Sequence, residues 1–437
     1  MIDAYLRSFE EFSRNGGAVA PDWARSLRLS AITRFETLGF PTTRNEDWHF
    51  TSVAPIADRP LTPLTSPSGS VDAAQLAPFE FSSGWHQLTF VNGRYDAALS
   101  RVARLPDGVR VLPLAQAYDE LPLLVERHLG RIASFDVHSF TALNTAFLTD
   151  GAVIHVAQDV EVATPIHLVF VSDASAVQGV TQPRNLIVLD RFAKATVLET
   201  YCAAARGAGA YFTNAVTEAS IGEGATLTHL KLQRESPSAY HVGTFDARQA
   251  RDSHLVSFSF ATGAALSRTN IYTELRGEGC GATLNGLYLG DAEQTIDHQT
   301  RIEHVEPNCY SRELYKGILD GASHGVFNGK VFVHPAAQKT DGKQTNNTLL
   351  LSEKAQIDTK PQLEIFADDV KCTHGATVGR LDETSLFYMK SRGIDARTAR
   401  ELLTYAFAAD VLETIELTEV REELEAATLR RYATHAG

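Results

Sequence analysis

Between residues 152 and 370 the hydrophobic positions come in short runs rich in β-branched side chains, at 153–156, 166–171, 186–189, 196–201, 212–221, 227–232 and 255–260. Runs of this length bounded by small and polar residues predict strands. In the last run Leu255, Ser257 and Ser259 alternate with Val256, Phe258 and Phe260. That is the two-residue period of a strand with an inside and an outside face. The alternation is less clean at 225–232, where Leu227 and its i+2 partners do not hold one face. A 3.6-residue period is missing from most of the span, so the region reads as all-β. A weak repeat runs through it. Ala195-Thr196-Val197, Ala225-Thr226-Leu227 and Ala282-Thr283-Leu284 each follow a corner of small or charged residues, and the second interval is close to twice the first. One strand-and-corner unit of about 30 residues, with one unit skipped, is the signature of a stacked solenoid. A β-sandwich with irregular strands is the competing reading.

The flanks have a different texture. Leu27, Ala31, Phe35 and Leu38 recur at helical spacing within residues 24–38. Residues 55–67 contain Pro55, Pro60, Pro63 and Pro67. They cannot form one helix and read as a linker or surface loop. Beyond residue 381 helical spacing returns. Asp395 is placed to cap a helix starting at Ala396, Leu402, Leu403, Ala406, Phe407, Leu412 and Ile415 supply an apolar face, and glutamates keep the other side solvated. These textures divide the chain into a helical and mixed domain at 1–135, a β core at 136–380 and a helical domain at 381–437.

Charge and composition narrow the function. A formal net charge of −13 over 437 residues gives no electrostatic case for nucleic acid or an anionic membrane. No apolar run approaches the roughly 18 residues of a spanning helix. The N-terminal stretch carries Asp3, Arg7, Glu10 and Glu11, unlike a signal peptide. Cys202, Cys280, Cys309 and Cys372 are scattered singly, which argues against a disulfide framework and for a reduced, cytoplasmic protein. Residues 325–331 are a poor phosphate loop: the glycines Gly325 and Gly329 stand too close together, and Val331 occupies the place where Ser or Thr would hold magnesium. The stretch around Asp341-Gly342-Lys343 fails as well, with Ala337 at the first glycine position. Neither a Cys-x-x-Cys pair nor a Gly-x-Ser-x-Gly elbow occurs. Asp368 and Asp369 are adjacent, so in a strand they point to opposite faces and make a poor acid/base pair; a solvated loop is expected there.

The most informative local cluster is Cys372-Thr373-His374. In extended chain the thiol and the imidazole share a face, a combination suited to iron or zinc but two ligands short of a site. Spacing alone favours the plainer alternative, a buried cysteine beside a hydrogen-bonded histidine. His298, His304 and His324 read singly as structural. Cys309 reads as an inert buried thiol in preference to a sulfur carrier.

Around that cluster the sequence resembles a known family. Lys339-Thr340-Asp341-Gly342-Lys343-Gln344, Asn347-Thr348-Leu349-Leu350-Leu351-Ser352, Thr359-Lys360-Pro361-Gln362-Leu363-Glu364-Ile365, the run Asp368 to Gly379 and Leu386-Phe387-Tyr388-Met389-Lys390-Ser391-Arg392-Gly393-Ile394 resemble the SufB/SufD family of iron–sulfur assembly scaffolds. Arg44-Asn45-Glu46-Asp47-Trp48-His49-Phe50-Thr51 resembles its N-terminal signature. Lys371-Cys372-Thr373-His374-Gly375 looks like the SufD branch. The resemblance implies a right-handed parallel β-helix flanked by helical domains. It also implies a non-catalytic subunit that pairs with a SufB-type chain and binds a SufC-type ATPase through its C-terminal helices. His374, with Cys372 beside it, would then help hold a transient iron–sulfur cluster shared with SufB at the subunit interface. A homodimer is open when the partner is absent. Two other classes compete: a carbohydrate-active β-helix enzyme, for which Asp291, Glu293, Asp297 and Arg301 are the available groups, and a homomeric structural solenoid.

Overall fold

A computed structural model of the chain describes residues 2–14, 20–66, 69–204 and 209–433. Its centre is a parallel β-solenoid of about eight turns, with helices at both ends of the chain. Each turn contributes one strand to each of two sheets. One sheet runs from Ala152–Val156 through Arg184–Leu189, Phe212–Ile221, Tyr240–Gln249, Leu266–Leu275, Thr295–His304 and His324–Val333 to Gln356–Ile365. The other runs from Ile166–Ser172 through Lys194–Ala203, Thr226–Arg234, His254–Ala261, Gly281–Gly290, Tyr310–Leu319 and Thr340–Leu350 to Val370–Gly379. Every strand run expected from the hydrophobic pattern is a strand here.

The register fixes the length of each coil and shows that successive coils differ slightly. Ala195 stacks on Leu227, Leu227 on Leu255, and Leu255 on Ala282. Ala195 and Ala282 therefore share a ladder, but Ala225 lies two positions before it. The repeat found in the sequence has the right length and one member out of register.

The Ser/Phe alternation at 255–260 has its polar side inward. Leu255, Ser257 and Ser259 face the interior, whereas Phe258 and Phe260 lie on the outer face in one apolar cluster with Leu230, Leu232, Leu287, Leu289, Ala408, Val411 and Leu412. The C-terminal helices Ala396–Leu412 and Thr418–Ala433 cover that face, so both sides of the strand are buried. The outer face of the other sheet is covered by the N-terminal region, where Phe9, Ala31, Ile32, Phe35, Phe140 and Leu143 pack with Phe212, Tyr240, Val242 and Leu266. The helix Asp22–Leu38 buries Ala24, Arg28, Ala31, Ile32 and Phe35, leaving Leu27 and Leu38 only half-buried at the margin of the expected stripe.

Residues 55–67 are not a free surface loop. Thr62–Pro63 adds a short parallel strand to Gly179–Thr181, and Ile56, Leu61 and Pro63 are buried. Pro67 lies outside the described residues. The N-terminal region also supplies His86–Val91 and Val109–Pro113, which extend the two sheets beyond their first solenoid strands. At the other end, among the described residues, Gln356–Ile365 and Val370–Gly379 have a sheet neighbour on one side only.

Candidate functional site

That open end carries the Cys/His cluster. Val370–Gly379 is a strand, so Cys372 and His374 share a face, and register sets it as the inward one: Cys372 stacks on Gly342 and Ser311, His374 on Gln344 and Glu313. A Cβ on Gly342 would lie 3.3 Å from the Cys372 sulfur, so the missing side chain leaves the thiol its room. Cys372 is half-buried against Val331, Val333 and Ala337, and burial pushes its thiol pKa up. His374 is exposed.

Beneath His374 the ladder turns polar and closed. Gln344 Nε2 donates to Glu313 Oε2 at 2.9 Å, both side chains being buried. Gly329 makes this possible, because a Cβ there would sit 1.6 Å from Gln344 Nε2. Burial pushes the Glu313 carboxyl up to about 7. Among the described residues Glu313 Oε1 and Gln344 Oε1 have no hydrogen-bond partner of good geometry, and the Thr300 hydroxyl offsets part of the burial effect on Glu313. Neither residue stands out in the sequence; the usable signal was the stacking of polar inward positions at coil-length intervals.

The same pattern recurs deeper inside. Glu199 accepts hydrogen bonds from Tyr201 and Thr217, each at 2.6 Å, and lies 3.1 Å from His229 Nε2. Glu235 contacts His241 Nδ1 at 2.7 Å. Between them Lys231 is buried, its pKa lowered by burial to about 8 against the pull of both glutamates. These groups are sealed in the coil, and His229, although in the same ladder as His374, lies five coils away from it.

The other sequence candidates fill structural roles. His298 is buried 3.2 Å from Ser259 Oγ, His304 bonds Ser311 Oγ at 2.9 Å, and His324 pairs with Asp358 at 2.7 Å. Residues 325–331 lie inside the strand His324–Val333 and form no loop. Asp368 and Asp369 are exposed in the turn before the last strand. Asp297 and Arg301 do not make an acidic and basic cleft with Asp291 and Glu293. Asp297 is buried against Arg268 at 2.8 Å and accepts from Thr51 Oγ1 at 2.6 Å, while Arg301 pairs with Glu303.

The 44–51 motif is a clamp. Trp48 lies under the Arg268 guanidinium at 3.7 Å, Arg268 Nη1 donates to Asp47 O at 2.6 Å, and Glu46 pairs with Lys360 on the last strand of its sheet at 3.1 Å. At the C-terminus Asp395 accepts from Arg397 N and Thr398 N, each at 3.0 Å, as expected of a cap. Part of the expected apolar stripe faces solvent: Leu402 and Ala406 are exposed, near the 73%-exposed Phe387 and 58%-exposed Tyr388 of Glu383–Ser391 in sequence. Among the described residues no helix is long and apolar enough to cross a membrane, and no three His, Cys, Asp or Glu side chains gather into a metal-sized group.

Two family models cover nearly the whole chain: the SUF system FeS cluster assembly SufBD core domain over residues 170–407, and the SufBD protein N-terminal region over residues 2–168. The chain belongs to the SufBD family of iron–sulfur cluster assembly proteins. It is 33% identical to an iron–sulfur cluster assembly SufBD family protein of Synechocystis sp. over 405 residues, 91% of this chain and 88% of the relative. It is 33% identical to the iron–sulfur cluster assembly protein SufD of Escherichia coli over 388 residues, 88% of each. Against SufD of Bacillus subtilis the identity is 29% over 438 residues, 98% of this chain and 97% of the relative. The family's core model spans the open end of the solenoid and both members of the Cys/His pair.

Proposed function

We propose that this chain is a non-catalytic scaffold subunit of cytoplasmic iron–sulfur cluster assembly that pairs with a SufB-type subunit through the open end of its solenoid. A nascent cluster is the cargo of that interface, with His374 as a ligand and Cys372 beside it. One observation carries the reading: Cys372 and His374 share the inward face of a terminal strand whose outer edge has no neighbour among the described residues. Two ligands are an incomplete site for iron, and an unpaired strand edge is where another chain can supply both backbone partners and the remaining ligands. Val378 and Phe366, exposed by 49% and 58% on the same terminal coil, give that end apolar area to bury. The exposed Phe387, Tyr388 and Leu402 of the C-terminal helices support a second contact, with the SufC-type ATPase that supplies nucleotide hydrolysis.

The test is anaerobic co-purification of the chain with SufB-type and SufC-type partners, followed by light scattering and iron and sulfide analysis. A stable mixed complex is expected. His374→Ala should leave its mass unchanged and lower cluster content by about tenfold or more, the scale on which metal sites respond to a lost contact. Undiminished cluster in an intact complex removes His374 from the site. Partners that elute apart overturn the scaffold reading altogether.

A further inference from the structure

From Phe192 onward six successive coils, like Asp159 one coil before them, turn the same corner through a left-handed residue. Phe192, Gly224, Asp252, Gly279, Asn308 and Lys339 have φ between 55° and 75°, and the register stacks them. The next residue in each coil is small and buried: Ala193, Ala225, Ser253, Cys280, Cys309 and Thr340. Where that residue has a donor, it caps a corner carbonyl. Ser253 Oγ donates to Ala250 O at 2.6 Å, Cys280 Sγ to Ala250 O at 2.9 Å, Cys309 Sγ to Gly277 O at 3.3 Å and Thr340 Oγ1 to Ala337 O at 2.9 Å.

The two thiols are neighbours in this stack. Gly281 pairs with Tyr310, and Tyr310 N donates to Cys280 O at 3.0 Å, so Cys280 and Cys309 stand one strand spacing apart on the same side of the wall. That spacing is about 4.8 Å. It falls within the Cα separation of roughly 4.4–6.8 Å that a disulfide spans. The solenoid thus brings together two cysteines separated by a full coil of sequence, both of which are free thiols here.

We propose that Cys280 and Cys309 form a dithiol modification site, which a hydroperoxide converts to a disulfide stapling two adjacent coils. Cys280 is the attacking sulfur. Contact with the neighbouring Cys309 thiol lowers its pKa, and the same contact pushes Cys309 up. The Cys280 sulfur attacks one peroxide oxygen as its proton passes to the departing oxygen and the O–O bond breaks, leaving Cys280 as a sulfenic acid and releasing water or an alcohol. The Cys309 sulfur then attacks the sulfenic sulfur. The S–S bond forms, and the departing hydroxide takes the Cys309 proton and leaves as water. Two thiols are oxidised by two electrons in all and one peroxide is reduced. Cys202, buried with its thiol pushed up by burial, and Cys372, also pushed up, are the internal comparisons.

The full-length chain is treated with hydrogen peroxide at neutral pH, quenched, unfolded, alkylated and mapped by mass spectrometry without reduction. The expected product is a Cys280–Cys309 cross-linked peptide lighter by two hydrogens, reversed by dithiothreitol, with Cys202 and Cys372 still alkylated. Cys309→Ser keeps a corner donor of the kind Ser253 provides two coils earlier, so it should fold. In it Cys280 should stop at a sulfenic acid trapped by dimedone. The proposal is overturned if Cys280 and Cys309 stay fully alkylatable in the wild type, if Cys280 proceeds to sulfinic acid without the cross-link, or if the cross-link joins Cys372 or two chains. None of these readouts depends on cluster assembly, so they stand or fall apart from the scaffold reading.

Discussion

Glu313 shows how much one side chain owes to its place in the stack. Its carboxyl is sealed between coils with a single amide donor, Gln344, at 2.9 Å, and desolvation raises its pKa to about 7. A folded-state pKa above the unfolded value means that the protonated form stabilises the fold. That contribution is fully present below about 4.5 and is lost as pH rises through about 7, amounting to about 3 kcal/mol. Glu313→Gln removes the charge and keeps the shape. Denaturation midpoints measured from pH 4 to pH 8 should show the variant gaining on the wild type as pH rises, and parallel curves would contradict the burial argument. The Cys372/His374 pair was legible at this scale, because a two-residue period needs no tertiary knowledge to give two side chains one face. Glu313 and Gln344 were not, since their link to His374 is set by register between coils far apart in sequence.

At the scale of elements, the N-terminal 44–51 segment and the strand Leu266–Leu275 depend on one buried ion pair. Arg268 pairs with Asp297 at 2.8 Å, stacks on Trp48 and holds Asp47 O. Arg268→Ala leaves Asp297 as an uncompensated buried charge, a loss of about 3–5 kcal/mol. It should lower the denaturant midpoint and open the 44–51 segment to protease. Adding Asp297→Asn should recover part of the stability, because the stranded charge goes with it. The strands themselves were readable from alternation, as was the Asp395 cap. The direction of the Ser/Phe alternation at 255–260 was not: which face counts as outside depends on what covers it, and here helices from the far end of the chain do.

The whole molecule is a short solenoid wrapped by its own termini. The C-terminal helices cover Leu230, Leu232, Phe258, Phe260, Leu287, Leu289 and Ile318 on the outer face of one sheet. Each such side chain contributes roughly 1.5–3 kcal/mol when fully buried. A chain ending at residue 380 should therefore bind a hydrophobic dye and aggregate on purification; a soluble, monodisperse product would show that the sheet stands without its cover. By itself the sequence determined the strands, the approximate repeat, the flanking helices, the missing phosphate loop and the shared face of Cys372 and His374, because all of these follow from spacing within one element or from residue type. Tertiary structure decided which polar residues turn inward, which corner cysteines meet and which end of the solenoid stays open. Those outcomes depend on how each coil registers on the next, and coils of unequal length leave that register unspecified until the corners are built.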